Sequence, residues 1–323
     1  MPTNTLLLAI AAGIISAVVF ASATTGPMLL RFVLFFLSPI TLYLAGLGLG
    51  PAAAAIAVIV ATLIILLLTN PVAALVFTVF AGMPAAMTTR LALLGRKSDD
   101  GPSAPVEWYP LGRIIAAVAF FAGLFAALAL TLMGGDTAAL TKAMHAAVET
   151  FAKTEWPQIP GSVPLTPEQI DEMTNRALVL LPSSLAALSL ATTLLNLWLA
   201  GRITLASGRL TRPWPDLCAF TLPSSATVAL LATLALSFAS GMPGLLAGGF
   251  AGAYTMVFVL VGLAVAHALT RGSPWRNFIL ASIYVALLVF TPGMALALAL
   301  GGLAETIFHY RATRNGAPTN TNT

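Results

Sequence analysis

The sequence predicts an all-α fold: a polytopic transmembrane bundle of about ten helices, with eight or nine as the alternatives, carrying a short helical segment outside the membrane. Three observations predict it. Hydrophobic residues make up 59% of the 323 residues and charged ones only 8%, a composition far from that of soluble globular domains. The apolar residues gather into runs close to the ~20 residues a helix needs to cross a hydrocarbon core about 30 Å thick. These runs are apolar on every face, as helices surrounded by lipid or by other helices must be. They lack the alternation of an outer-membrane barrel strand.

The first four runs are Thr5 to Ala23, Pro27 to Gly50, Pro51 to Thr69 and Pro71 to Leu94. Gly26-Pro27, Gly50-Pro51 and Asn70-Pro71 separate them, and proline starts a helix there without losing a needed donor. These runs therefore form tight hairpins. Leu111 to Met133, Ala177 to Ala200, Leu222 to Ala239 and Gly244 to Leu269 follow, each read as a crossing. The last stretch, Phe278 to Phe308, is too long for one span and short for two, with Thr291-Pro292-Gly293 near its middle. It reads as a kinked span or as a hairpin.

Charge sign orients the runs. Arg90, Arg96, Lys97 and Arg113 flank one gap, Arg202, Arg209 and Arg212 follow the sixth run, Arg271 and Arg276 precede the last stretch, and Arg311 and Arg314 follow it. The positive-inside rule places all of them in the cytoplasm. Two basic clusters on one side require an even number of crossings between them, which favours the hairpin. Both termini are then expected in the cytoplasm of a bacterial inner-membrane protein, with one integral domain over 1–311 and a disordered tail over 312–323. The net charge of +4 is explained by these topogenic arginines beside anionic lipid, without nucleic acid.

Residues 135–175 collect Asp136, Glu149, Glu155, Glu168, Asp171 and Glu172, and so form the extracytoplasmic segment. Leu140, Met144, Ala147, Val148 and Phe151 recur at helical spacing, predicting an amphipathic helix over Asp136 to Glu155 that lies on the membrane surface. Trp156 closes it, and Pro157, Pro160 and Pro164 prevent continuation. Thr166 with Gln169 forms a capping box, Pro167 takes the first helical position, and acidic residues favour the first turn. This second helix runs into the sixth span. At the amino terminus, Ala21-Ser22-Ala23 resembles a cleavage site, but the missing basic region before the run favours a retained first helix. Its Ala9, Gly13 and Ala17 share one face suited to close helix contact.

Polar groups at membrane depth are costly and so are the functional candidates. Four qualify as ligand or coupling residues. Arg31 lies about one turn inside the second span, where it can snorkel or hold a ligand. Asn196 is placed for an interhelical hydrogen bond. His267 and Glu305 titrate and fall near the cytoplasmic ends of their spans, Glu305 within reach of Arg271 or Arg311 for pairing. No enzyme signature is present. His145, His267 and His309 form no metal-spaced cluster, and no phosphate-binding loop occurs. The single Cys218 lies in a predicted cytoplasmic loop with no pattern of a nucleophile. Neither a catalytic residue, a metal nor a cofactor is expected.

Two stretches carry a family resemblance. Residues Leu194-Leu195-Asn196-Leu197-Trp198-Leu199-Ala200-Gly201-Arg202, the loop with Arg212-Pro213-Trp214-Pro215, and Phe220-Thr221-Leu222-Pro223 resemble the central portion of the YybS-like family of bacterial multi-spanning proteins. Gly301-Gly302-Leu303-Ala304-Glu305 through Arg311 is similar to that family's ending, and Gly82-Met83-Pro84-Ala85 to its glycine-x-proline feature. The resemblance implies a distant similarity to the substrate-binding subunits of energy-coupling-factor vitamin transporters, which work with a transmembrane coupling protein and ATPases. The face of Ala9, Gly13 and Ala17 would meet the coupling helix. Two function classes follow. A transporter component would hold a small molecule in a pocket near the outer leaflet, covered by residues 135–175 and anchored by Arg31. An envelope scaffold would instead have a tightly filled interior with no polar-lined cavity. Membrane lipid is the one partner common to both, and the oligomeric state is open.

Overall fold

The computed structural model describes residues 1–23, 27–97 and 105–311. Arg314, the tail over 312–323 and the Gly26 half of the first turn lie outside them. The first half of the bundle is built from α1 (Thr3–Ser22), α2 (Met28–Leu37), α3 (Ile40–Leu49), α4 (Pro51–Leu68), α5 (Pro71–Phe77) and α6 (Met83–Ala92). A two-stranded antiparallel ribbon, β1 (Gly95–Lys97) with β2 (Val106–Trp108), then pairs Gly95 with Trp108, a local element that the composition does not announce. The second half holds α7 (Leu111–Leu132), α8 (Thr137–Thr154), α9 (Pro167–Ala206), α10 (Ser224–Ser237), α11 (Met242–Leu269), α12 (Arg276–Val289) and α13 (Thr291–Phe308). Among the described residues, eight helical stretches are long and apolar enough to cross a membrane, α2 with α3 and α5 with α6 each counting as one. The chain is a multi-pass membrane protein. The two remaining apolar helices, α10 and α12, have 14 residues each, about 21 Å of rise, and fall short of a full crossing on their own.

Two of the runs that read as continuous are broken, for reasons of backbone chemistry. Pro39 has no N–H and ends α2, which leaves carbonyls at the break without helical donors. Side chains supply them. The Ser38 hydroxyl donates to Phe35 O at 2.9 Å, the Ser16 hydroxyl to Ser38 O at 2.7 Å, and Asn196 Nδ2 to Phe36 O at 2.7 Å. In the fourth run Pro84 has the same defect, and the turn Thr78–Gly82 widens to a π-helix just before it. Thr78 also meets Thr62 of α4, hydroxyl to hydroxyl at 2.9 Å.

Small residues let the helices approach. Ala9, Gly13 and Ala17 of α1 are buried, and a Cβ on Gly13 would fall 2.5 Å from Ala57 O of α4. That face is thus filled from within the chain. Gly50, with φ of 105°, is the sole linker between α3 and α4, a conformation that favours glycine. The amphipathic helix appears as α8, its Asp136 carboxylate accepting from Ala139 N at 2.7 Å. Its buried residues Leu140 and Val148 sit where α8 packs on α9, and His145 Nε2 lies 3.2 Å from Asp171. The Thr166–Gln169 capping box forms, and α9 continues unbroken for 40 residues, through Pro182, into the sixth crossing.

Arg271, after α11, and Arg311, after α13, both bond to the loop over 207–223. The ends of α11 and α13 therefore lie at the same end of the bundle. The chain from Arg276 to Phe308 leaves that end and returns to it, as a hairpin does. Its bend falls at Phe290, where φ and ψ are −117° and 44°. The helices α11 and α13 cross at Gly262 and Gly302, where an added Cβ would sit 2.1 Å from Leu298 O or Phe258 O.

Candidate functional site

The loop over 207–223 links α9 to α10, and four of its residues are proline or glycine, so it cannot be helical throughout. Its backbone nevertheless enters the bundle. Leu222 is buried, and Gly112 at the start of α7 lies so close to Thr221 O that a Cβ there would stand 1.7 Å away. Irregular backbone survives at such depth only if its polar groups find partners in protein. Arginines provide them. Arg311 donates through Nη2 to Phe220 O at 2.9 Å and through Nη1 to Cys218 O. Its Nε pairs with Glu305 at 2.8 Å, both side chains being almost fully buried. Arg271 grips Asp216 in a fork at 2.8 and 3.0 Å, and the fork, with the Cys218 N–H, holds that carboxyl below the usual carboxylate range. Arg212 Nη1 donates to Ala92 O of α6 at 3.1 Å. Arg202 lies over the Trp214 ring at 5.2 Å, a cation–π distance.

Held this way, the loop walls a cavity of about 490 Å3 between α7, α9, α11 and α12, within the size range of small-molecule sites. Its body is apolar: Ile114 and Ile115 from α7, Leu194 and Leu197 from α9, Leu260 and Leu263 from α11. The polar groups on its lining are Arg212, His267, Tyr284, the two indoles of Trp198 and Trp214, and the thiol of Cys218. Among the described lining residues none is acidic. His267 Nε2 meets the Tyr284 hydroxyl at 2.9 Å and its Nδ1 lies 3.4 Å from Arg276. The site can enclose an apolar body and meet one polar end with donors.

The four sequence candidates separate. His267 lines the cavity. Glu305 stands behind it, steadying the Arg311 that holds the cavity wall. Asn196 is fully buried against the α2–α3 break, donating to Phe36 O and Thr192 O, a structural task. Arg31 donates to Ala23 O at the end of α1 at 3.2 Å and has no part in the lining. This cavity lies at the opposite end of α9 from α8, at the basic end and not beneath residues 135–175. Its place follows from the loop, a proline-interrupted segment that leaves space between the long helices. Sequence reading missed Arg212, Trp214 and Tyr284 as lining groups. The one signal for the first two was the Arg212-Pro213-Trp214-Pro215 run itself, an aromatic and a cation between prolines.

Among the described residues no group of three or more His, Cys, Asp or Glu is placed to hold a metal ion. A family model described as Predicted membrane protein (DUF2232) matches residues 14–303, most of the chain. No curated protein and no solved structure matches.

Proposed function

From the premise that the chain belongs to the DUF2232 family of predicted membrane proteins, we propose that it is a membrane-embedded binding component for a small, largely apolar molecule. The observation that carries this reading is the 490 Å3 cavity walled by a loop that arginines hold in place. A scaffold would be expected to fill its interior, so the cavity favours binding over a purely architectural role. Orientation follows from charge. With the basic end in the cytoplasm of a bacterial inner membrane, the ligand would enter or leave on the cytoplasmic side. Service in transport, with a separate coupling protein and ATPase, is the finer form of the same proposal. Any such partner would need a face other than that of Ala9, Gly13 and Ala17, which α4 occupies.

The experiment is native mass spectrometry of protein purified in mild detergent, alongside a thermal-shift screen of small apolar compounds. Wild-type protein should retain or be stabilised by a small molecule, and Leu263→Trp, which fills the cavity, should lose it. Equal retention by both proteins, or retention by neither, would overturn the reading.

A further inference from the structure

Among the described residues the cavity's lining carries donors and positive charge but no acid, and this asymmetry bears on what it holds. Arg212 is half-buried on that lining. Its one protein partner among the described residues is a neutral carbonyl, Ala92 O, and none of the described ion pairs includes it. Among the described residues Arg212 is the arginine on the lining, while Arg271 is bonded to Asp216, Arg311 to Glu305 and two carbonyls, and Arg202 stacks on Trp214. His267 is likewise engaged by Tyr284 and Arg276. Arg212 therefore has guanidinium N–H groups to offer beside an apolar cavity from which an apolar occupant would displace water. A guanidinium in such surroundings binds an oxyanion far better than it does in water, because charge-assisted hydrogen bonds gain strength as the site dries.

We infer that the occupant is an anionic amphiphile, a single apolar chain or ring body lying between α7, α9 and α11 with one oxyanion head on Arg212. This rests on the binding role proposed above. The volume suits a one-chain molecule, and the cationic surroundings would raise the local concentration of an anion.

The sole cysteine of the chain makes the test direct. Cys218 lines the cavity, so an occupant shields it from alkylation. The full-length protein in nanodiscs of zwitterionic lipid would be treated with a maleimide in the presence of dodecanoate, dodecyl phosphate, dodecanol or dodecyltrimethylammonium. Either anion should slow labelling at concentrations where the alcohol and the cation do not, and the ratio of the two anions identifies the head as carboxylate or phosphate. Arg212→Gln, which keeps a donor for Ala92 O, should weaken anion protection about tenfold or more. Arg212→Lys should restore part of it, and Arg209→Gln, off the lining, should change nothing. Unliganded labelling rates report whether each variant keeps the loop in place. Equal protection by dodecanol, or full anion protection in Arg212→Gln, would overturn the anionic class while leaving the cavity as a binding site. Protection by none of the four would overturn both.

Discussion

Asn196 and Tyr43 are both buried polar side chains between helices, yet their predicted energetic roles differ. The amide of Asn196 serves a carbonyl freed by the Pro39 break, so Asn196→Ala leaves Phe36 O without a donor in a medium that offers no water. The expected loss is about 1–2 kcal/mol, above the ~0.6 average for interhelical hydrogen bonds in membranes because a buried acceptor is stranded. The buried Tyr43 hydroxyl makes no hydrogen bond of good geometry among the described residues. Tyr43→Phe should therefore be neutral or slightly stabilising in the same thermal unfolding assay, and a loss as large as that of Asn196→Ala would refute the distinction. Asp216 gives a pH prediction. Its folded value is lowered, first by the Arg271 fork and then by the Cys218 N–H. The contribution of the pair is thus fully present above the ordinary carboxylate value near 4 and is lost as pH falls through the lower folded value. Hydrogen exchange over 209–220, corrected for intrinsic rates, should be level between about pH 5 and 8 and rise only in stronger acid, whereas Asp216→Asn should show the faster exchange already at neutral pH. Sequence alone brought Asn196, Glu305 and His267 forward because polar groups are rare in apolar runs. It had no means of pairing Asp216 with Arg271, which are 55 residues apart.

At the scale of the element, the number and order of helical stretches could be read from apolar run length, since the bilayer sets that length. Their interruptions could not. Pro39 and Pro84 each lie inside a run of ordinary span length, and a proline there either kinks, breaks or is bypassed according to whether neighbours can satisfy the freed carbonyls. Ser16, Ser38 and Asn196 do so at Pro39, and two of these three come from other helices. Glycine makes the same point. Gly301 and Gly302 are adjacent and equally plausible as contact residues in the sequence. A Cβ on Gly302 would stand 2.1 Å from Phe258 O of α11, whereas one on Gly301 meets nothing within 4 Å. Gly302→Ala should therefore force α13 off α11 at a cost of about 1–3 kcal/mol. Gly301→Ala should be neutral or stabilising by up to about 1 kcal/mol from helix propensity. Thermal midpoints of the two single variants would decide it, and equal effects would mean that the α11–α13 crossing is not as close as described.

For the whole molecule, charge sign proved the most informative pattern in the sequence, because the same arginines that set topology also build the site. The end of α6, the start of α7, the loop over 207–223 and the ends of α11 and α13 meet through Arg212, Gly112, Arg271 and Arg311. These are the segments whose basic residues mark one side of the membrane, while α8 and the acidic start of α9 sit at the far end of α9. The place of this cavity could not be read from the sequence, since a void depends on which long-range neighbours fail to fill space and has no local signature. The sidedness of the site is therefore a separate, testable claim. In a Cys218→Ser background, Val163→Cys reports the α8–α9 connection and Ser207→Cys the loop that walls the cavity, both positions being exposed. A membrane-impermeant thiol reagent added to intact cells with a permeable outer layer should label Val163→Cys and spare Ser207→Cys. Inverted inner-membrane vesicles should give the reverse. The opposite pattern would turn the bundle over, placing the Arg212 cavity on the outside and making its ligand one captured from the environment; labelling of both sites from one side would contradict a crossing by α9, the one helix between the two positions.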